Sequence, residues 1–327
     1  MTPGLPRTGP GTGARVLLLA GETSTGGDRA AERESARAWG AAFDEAGDRI
    51  SGAGGQVVSL RALPALTGDG SAGVEWEVAP RPGREMARLV AELRASAARR
   101  PPAPGVDLVV VPAALGLLPR LVVLDVDSTL ITGEVVEMLA ARAGVEAEVA
   151  RVTEAAMRGE VDFTESLHRR VALLGGLPAA VLDEVLEEVV PSPGAAAMAG
   201  ALADAGVPVG VVSGGFAEVV EPLTGSLGVP HARANRLEVS GGRLTGRVLG
   251  DVVDADAKAD FLRELAARHD VPLAGAVAVG DGANDLAMVR AAGTGVAFCA
   301  KPVLVEAADV VLRRRDLTAV AHLVGVA

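Results

Sequence analysis

The stretch Leu121–Thr129, with the sequence LVVLDVDST, places four apolar residues directly before two aspartates that are separated by one valine. A short, unbroken apolar run that ends in polar residues is typical of a buried strand in a parallel sheet. Asp125 then lies at the carboxyl end of that strand, where open α/β sheets bind their ligands. Because buried carboxylates are costly unless they are paired or bind a metal, the stretch predicts a metal or phosphate site. An Asp/Ser-rich turn fits the same letters.

Two further apolar runs end in polar motifs. Val207–Val212 leads into the sequence SGGF at 213–216, and Leu273–Val279 leads into GDGAND at 280–285. Between these motifs, Lys258 stands in the sequence DADAKAD. The carboxyl ends of neighbouring parallel strands lie side by side, so we expect the three motifs and the lysine to converge. Taken singly, SGG and GDGAND fit turns, and Lys258 fits a solvated helix residue.

Phosphoryl transfer is the chemistry that this combination of residues suits. A carboxylate such as Asp125 can act as a nucleophile and form an aspartyl-phosphate, and Asp127 can exchange protons with the leaving group and with water. Asp125 and Asp281 offer the hard oxygen ligands that Mg²⁺ prefers. The Ser213 hydroxyl, the Gly214 backbone and the Lys258 ammonium can bind the phosphoryl oxygens.

Composition excludes several classes of protein. The net charge of −11 over 327 residues argues against binding to nucleic acid or to an anionic membrane surface. Cys299 is the single cysteine, so no intramolecular disulfide can form, and we expect a cytoplasmic protein. The four histidines are scattered and form no zinc motif with it. The Pro/Gly-rich start of the chain has no long apolar run, so we expect no secretion signal there.

The order of predicted elements divides the chain into three parts. We expect residues 1–13 to be a disordered leader because they offer little to bury. Residues 14–114 follow the order βαββαβ, a ferredoxin-like α+β pattern. Residues 115–327 alternate strands and helices, which predicts an α/β fold with a doubly wound parallel sheet. Helical signals fill about 134–190 without a strand, a length that predicts a helical cap inserted into this core.

The ordered set of motifs resembles the haloacid dehalogenase superfamily of aspartyl-phosphate phosphatases, over about Leu121 to Pro302. Within it, DVDSTLITGEVVE, VVSGGF and GDGANDL are most similar to the phosphoserine phosphatases. The resemblance implies an Mg²⁺-dependent hydrolase that converts O-phospho-L-serine to L-serine and phosphate, the last step of serine biosynthesis. It also implies roles for individual residues. Asp125 corresponds to the nucleophile and Asp127 to the general acid/base. The implied metal ligands are Asp125, the main-chain carbonyl of Asp127, and Asp281; the implied phosphate ligands are Ser213, Gly214, Lys258 and Asn284, and Asp285 supports the metal or Lys258 from nearby.

The same resemblance implies that cap residues recognise the amino-acid end of the substrate. Glu134 corresponds to the position that contacts the ammonium, and Arg170 to the one that binds the carboxylate with two hydrogen bonds. Met157 and Phe163 correspond to residues that shield the site from water as the cap closes. A solvated helix face is the alternative for Glu134 and Arg170, and Arg169 competes for the role of Arg170.

The 14–114 segment, placed ahead of an enzyme core, resembles the ACT family of small regulatory modules. That resemblance implies binding of an amino acid such as serine and formation of a homodimer; a domain that only supports the chain fits the pattern equally well. Two other functions stay open at this point: a related phosphotransferase or phosphatase for another small phosphomonoester, and an amino-acid-sensing regulatory protein. The run Arg313–Arg315 is typical of a solvated face.

Overall fold

A computed structural model describes residues 13–20, 29–66, 71–158 and 160–326. Except for Gly13, the predicted leader 1–13 lies outside the described residues, as does the side chain of Met157. The described chain contains two separate sheets. The predicted boundary near residue 114 falls in the connection between them, and the division into domains stays a prediction.

The first sheet has four strands in the order β2-β3-β1-β4, with every neighbouring pair antiparallel. Two helices complete a βαββαβ unit of the ferredoxin-like kind, which we call the N-terminal unit. Both faces of its sheet are buried, because Val16 and Leu18 pack with the helices while Leu17 and Leu19 pack toward the second sheet. Its elements are β1 Ala14–Ala20, α1 Arg29–Gly52, β2 Gly55–Pro64, β3 Ser71–Pro80, α2 Met86–Arg99 and β4 Val106–Pro112.

The second sheet has seven strands in the order β11-β10-β9-β5-β6-β7-β8. All neighbours are parallel except the β7–β8 hairpin. Strand β5 lies at the centre and is buried on both faces, with Val122 and Leu124 in one apolar cluster and Leu121 and Val123 in the other. The strands are β5 Leu121–Leu124, β6 Val209–Phe216, β7 His231–Ser240, β8 Arg243–Leu249, β9 Ala276–Gly280, β10 Thr294–Phe298 and β11 Val310–Leu312.

Ten α-helices of this second part, the core unit, are described, and the first four follow β5 without an intervening strand. We call these four helices the cap. The helices are α3 Val135–Ala143, α4 Glu146–Met157, α5 Phe163–Leu173 and α6 Val181–Glu188 in the cap, then α7 Ala195–Asp204, α8 Ala217–Ser226, α9 Ala255–Arg268, α10 Leu286–Ala291 and α11 Pro302–Val305. A tenth helix of the core unit, α12 Thr318–Val324, ends the described chain. The predicted fold class is therefore confirmed.

Strand boundaries differ from the sequence expectation at two places. The strand predicted at 207–212 is β6, which begins at Val209 and carries the SGGF motif within its last residues. The strand predicted from residue 273 begins at Ala276, because residues 273–275 form a tight turn in which the Gly275 N–H donates to the Pro272 carbonyl at 2.7 Å. Among the residues that the structure describes, no helix is both long and apolar enough to cross a membrane.

The N-terminal and core units meet at a seam with buried charged groups. Arg15 on β1 forms an ion pair with Glu75 at 2.6 Å and donates to the carbonyls of His322 and Leu323 at 3.0 Å. These carbonyls belong to the last turn of α12, where a cation is favourable. His322 itself is 1% exposed, and neither of its ring nitrogens has a hydrogen-bond partner among the described residues. Burial lowers the pKa of His322 from 6.5 to about 4.

We expect His322 to make the protein less stable in acid. The unfolded chain binds the imidazole proton more readily than the folded one, so stability is lost as pH falls below 6.5 toward 4. Between about pH 8 and about pH 5 this loss is roughly 2 kcal/mol. Urea unfolding of wild type and His322→Leu at both pH values should show a smaller loss in the variant. Equal losses in the two proteins would contradict this prediction.

Candidate active site

Three neighbouring parallel strands bring the predicted motifs to one edge of the core sheet. Strand β5 lies between β9 and β6, and all three run in the same direction. Asp125 follows β5, Ser213 lies near the end of β6, and Asp281 follows β9. Helix α9 begins at Ala255, where the Asp254 carboxylate caps it by accepting the Ala257 N–H at 2.9 Å. The predicted convergence of these motifs is therefore present.

Lys258 joins two of the motifs through a fully buried ammonium group. Its Nζ lies 2.7 Å from Oδ1 of Asp125 and 2.7 Å from Oδ1 of Asp285. Burial disfavours its charge, but the two carboxylates raise the pKa of Lys258 above its usual value. The second oxygen of Asp285 accepts the N–H groups of Asp281 and Gly282 at 3.0 and 3.1 Å. Asp285 therefore fixes both the lysine and the loop after β9.

Carboxylates outnumber the cations here. Burial first, and the neighbouring Asp285 second, raise the pKa of Asp125 well above its usual range, although Lys258 opposes the change. The same two causes raise the pKa of Asp281 to about 6. One oxygen from each of these three aspartates lies within 4.8 Å of the others. Such a cluster of hard oxygen donors fits a divalent cation of the Mg²⁺ type, which would relieve the repulsion between them.

Asp127 sits between the core and the first cap helix. Its Oδ1 accepts the Val135 N–H at 2.8 Å, at the start of α3, and its Oδ2 lies 3.2 Å from the Ser213 hydroxyl. Burial, together with the nearby Glu134 charge, raises the pKa of Asp127 to about 6. A carboxyl group with a pKa near neutrality can both donate and accept a proton at physiological pH.

The SGG segment is held by a residue that the sequence reasoning missed. Asn235 on β7 donates to the Gly214 carbonyl at 2.9 Å and accepts the Val253 N–H at 2.8 Å, and it is 1% exposed. The Ser213 hydroxyl also accepts the Gly215 N–H at 2.7 Å. An asparagine in a strand carries no motif, so nothing in the sequence marked it.

Both glycines of this segment lie close to neighbouring side chains. A Cβ on Gly215 would lie 2.7 Å from the Asp127 carboxylate, and a Cβ on Gly214 would lie 2.8 Å from the Phe163 ring. The side chains of Asp127 and Phe163 therefore pack closely against the backbone of these two glycines.

Glu134 and Arg170 enter the site from the cap. Glu134 precedes α3 and accepts a hydrogen bond from the Ser128 hydroxyl at 2.7 Å. Arg170 lies on α5, where its Nε donates to the Ser166 carbonyl at 3.3 Å. Burial lowers the pKa of Arg170, although the guanidinium stays charged. Within the part of the chain that the structure describes, no carboxylate forms an ion pair with Arg170.

Arg169, the competitor of Arg170, points elsewhere. Its side chain is 54% exposed and pairs with Glu165 on the same helix, whereas Arg170 faces the site. His168 is exposed on this helix as well.

A cavity of about 740 Å³ lies between the core edge and the cap. Eight of the predicted site residues line it: Asp125, Asp127, Glu134, Phe163, Arg170, Gly214, Asp281 and Asn284. Ser213, Lys258 and Asp285 are buried behind this lining, and the Met157 side chain lies outside the described residues. Lys301, which the sequence reasoning did not single out, also lines the cavity with its ammonium 4.0 Å from Asp281. Lys258 and Lys301 are the only two lysines in the chain.

Comparison with known proteins gives a consistent result. The family model of the haloacid dehalogenase-like hydrolases matches residues 122–290. The chain is 54% identical over 235 residues to a phosphoserine phosphatase of Streptomyces coelicolor, and 54% identical over 207 residues to the phosphoserine phosphatase SerB2 of Mycobacterium tuberculosis. These matches cover 72% and 63% of this chain. They cover 57% and 51% of the two relatives, so the chain spans about half the length of each.

A solved structure extends the likeness to both units. The unliganded form of a probable phosphoserine phosphatase from Vibrio cholerae is 32% identical and superposes with a TM-score of 0.69. The match covers 96% of this chain and 87% of that one. The fold of the N-terminal unit followed by the core unit is thus shared with a solved protein.

We expect Lys258→Met to be strongly destabilised and Lys301→Met to be close to wild type. Removing the buried ammonium leaves two buried carboxylates without a cation, which typically costs about 3–5 kcal/mol. Lys301 is 54% exposed, so its removal should change stability by roughly 0.5 kcal/mol or less. Urea unfolding in the presence of a chelator measures both values. Similar, small losses in the two variants would show that Lys258 does not hold the site together.

Proposed function

The chain belongs to the haloacid dehalogenase-like hydrolases, and on this basis we propose that it hydrolyses O-phospho-L-serine to L-serine and inorganic phosphate. The observation that carries the proposal is one cavity in which Asp125 and Asp127 lie together with an opposite-charge pair, Glu134 and Arg170. Phosphoserine carries an ammonium and a carboxylate beside its phosphate, so it needs one anionic and one cationic partner at its amino-acid end. The two curated relatives bear the name of this activity.

Asp125 is the proposed nucleophile. One of its carboxylate oxygens attacks phosphorus, and the bond between phosphorus and the seryl oxygen breaks, which leaves an aspartyl-phosphate. The Lys258 ammonium, 2.7 Å from Oδ1 of Asp125, would stabilise the Asp125 carboxylate and the negative charge on the phosphoryl oxygens. The Gly214 N–H and the Asn284 amide would bind further phosphoryl oxygens.

Asp127 is the proposed general acid and then general base. It donates its proton to the seryl oxygen as that oxygen leaves, and later accepts a proton from the water that attacks the aspartyl-phosphate. Its hydrogen bonds to the Val135 N–H and the Ser213 hydroxyl fix the carboxyl group in one orientation. Its pKa of about 6 suits both directions of transfer.

Mg²⁺ is the proposed cofactor. Asp125 and Asp281, with the main-chain carbonyl of Asp127, would hold the ion, which would supply positive charge to the phosphoryl oxygens. The three clustered aspartates described above support this donor set. Asp285 takes part indirectly, because both of its oxygens already bind Lys258 and the loop after β9.

The cap would exclude water while the phosphoryl group is transferred. Phe163, at the first turn of α5, packs on Gly214, and Met157 is the last residue of α4. A closed cavity strengthens the charge interactions within it and protects the aspartyl-phosphate from early hydrolysis.

We propose the cytoplasm as the protein's location, in keeping with its single cysteine. Serine binding by the N-terminal unit and a homodimer stay predictions.

We expect phosphate release from O-phospho-L-serine to require Asp125. Asp125→Asn removes the attacking carboxylate while keeping its size, so the rate should fall by at least about 10³-fold. Asp260→Asn, an exposed aspartate of α9, is the matched control and should keep full activity. Phosphate release is measured with Mg²⁺ and with a chelator. Release that persists in Asp125→Asn would refute the assignment of the nucleophile.

The substrate assignment predicts a selective effect of Arg170. Charge-assisted hydrogen bonds to a carboxylate contribute about 1.5–3 kcal/mol, so Arg170→Ala should raise KM for phosphoserine by roughly 10–100-fold. O-phosphoethanolamine keeps the ammonium but lacks the carboxylate, and its KM should not change. Arg169→Ala controls for loss of an arginine on the same helix and should match wild type. If the wild type hydrolysed an aryl phosphate but not phosphoserine, the assignment of the catalytic core would stand and the assignment of the substrate would be refuted.

A further inference from the structure

Arg315 reaches the loop that follows the two aspartates of the DVDST motif. Its Nη1 donates to the main-chain carbonyl of Ser128 at 2.8 Å. Its guanidinium carbon also lies 5.8 Å from the centre of the Phe298 ring, which restricts the side chain from a second direction. Ser128 immediately follows Asp127, so Arg315 holds the backbone beside the proposed acid/base.

Ser128 has a backbone conformation that needs external support. Its φ is 57°, in the left-handed region that residues with a side chain rarely adopt. Its N–H donates to the Gly133 carbonyl at 3.0 Å, and its hydroxyl donates to Oε1 of Glu134 at 2.7 Å. The position of Ser128 therefore sets the direction of the Glu134 carboxylate, which lines the cavity.

The N-terminal unit holds the segment that carries Arg315. Asp107 on β4 is 2% exposed, and its two oxygens accept the N–H groups of Arg313 and Arg314 at 3.0 and 3.2 Å. The Arg313 side chain donates in addition to the carbonyls of Ala97 and Ala98 at the end of α2. Burying the Asp107 carboxylate is costly unless it is hydrogen-bonded, so these two N–H groups are held firmly in place.

We propose that Arg315 is a positioning residue for Glu134, and that Asp107 of the N-terminal unit sets the position of Arg315. The continuous chain of contacts is Asp107, the backbone of 313–314, Arg315, Ser128 and Glu134. The proposal rests on the proposed role of Glu134 as the partner of the substrate ammonium. It gives the N-terminal unit a part in forming the substrate site that requires no ligand of its own.

The neighbouring arginine shows that the contact is specific to Arg315. The Arg314 side chain pairs with Asp316, which in turn accepts the N–H and the hydroxyl of Thr318 at the start of α12. It makes no contact with the loop among the hydrogen bonds of the described chain. Arg314→Ala therefore removes the same charge one residue away and is the matched control.

Substrate kinetics provide the first test. In Arg315→Ala, KM for phosphoserine should rise roughly 5–30-fold while kcat changes less than about threefold, because Glu134 loses its orientation and the catalytic aspartates do not. The KM for 3-phosphooxypropanoate, which keeps the phosphate and carboxylate but lacks the ammonium, should stay constant. Arg315→Lys should recover part of the loss, Asp107→Asn should show a smaller effect of the same kind, and Arg314→Ala should match wild type.

Hydrogen exchange provides a second test that needs no substrate. The peptide covering 126–134 should exchange faster in Arg315→Ala and in Asp107→Asn than in wild type or Arg314→Ala. If Arg315→Ala does not fold, Arg315→Gln keeps the aliphatic stem and serves in its place. Unchanged exchange, or equal losses on both substrates, would overturn the proposal. If the wild type did not hydrolyse phosphoserine, the proposed function would be refuted. The hydrogen-exchange data would still decide whether Arg315 holds the loop at 126–134.

Discussion

The ammonium group of Lys258, buried between the carboxylates of Asp125 and Asp285, is the interaction on which the rest of the site depends. It ties helix α9 to the ends of β5 and β9, and the free oxygen of Asp285 then fixes the two N–H groups after β9. An unpaired charge inside a protein is costly, so each of these three groups keeps the other two in place. The distance between Asp125 and Asp281 depends on this ion triad. The position of any cation that both aspartates bind therefore depends on it as well.

The charges of the cavity are divided between its two ends. At the strand ends, Asp125, Asp127, Asp281 and Asp285 outnumber Lys258 and Lys301, and burial raises the pKa of Asp127 and Asp281 to about 6. A phosphate dianion would be repelled by this negative charge without a compensating cation. At the cap end, Glu134 and Arg170 present one charge of each sign. With a divalent cation bound between the aspartates, a ligand that is anionic at one end and zwitterionic at the other would complement the cavity along its whole length.

The sequence predicted the motifs of the site because each follows an apolar run, and parallel strands bring their carboxyl ends together without further information. It could not choose between Arg169 and Arg170 from charge alone, since adjacent residues on a helix differ in direction by about 100° and only packing shows which one faces inward. Asn235 was not predicted because it binds the Gly214 carbonyl and the Val253 N–H, two backbone groups that are distant from it in the sequence. The interpretation of Arg313–Arg315 as a solvated face holds for Arg313, which is exposed. It does not hold for Arg314 and Arg315, which are half-buried and bind Asp316 and the Ser128 carbonyl.

The two units are joined by more than the polar contacts at the seam. Leu17 and Leu19 of the N-terminal sheet belong to the same apolar cluster as Val122 and Leu124 of β5, the strand that precedes the DVDST motif. Separating the units would expose this shared apolar surface and would leave Asp107 without the backbone groups that it binds. The family resemblance covers only 121–302, yet the loop after Asp127 is braced by Arg315, and Arg315 is placed by a residue of β4. Each of the motifs DVDST, SGGF and GDGAND is therefore a short run in the sequence, whereas the contacts that hold the loop after Asp127 come from both units.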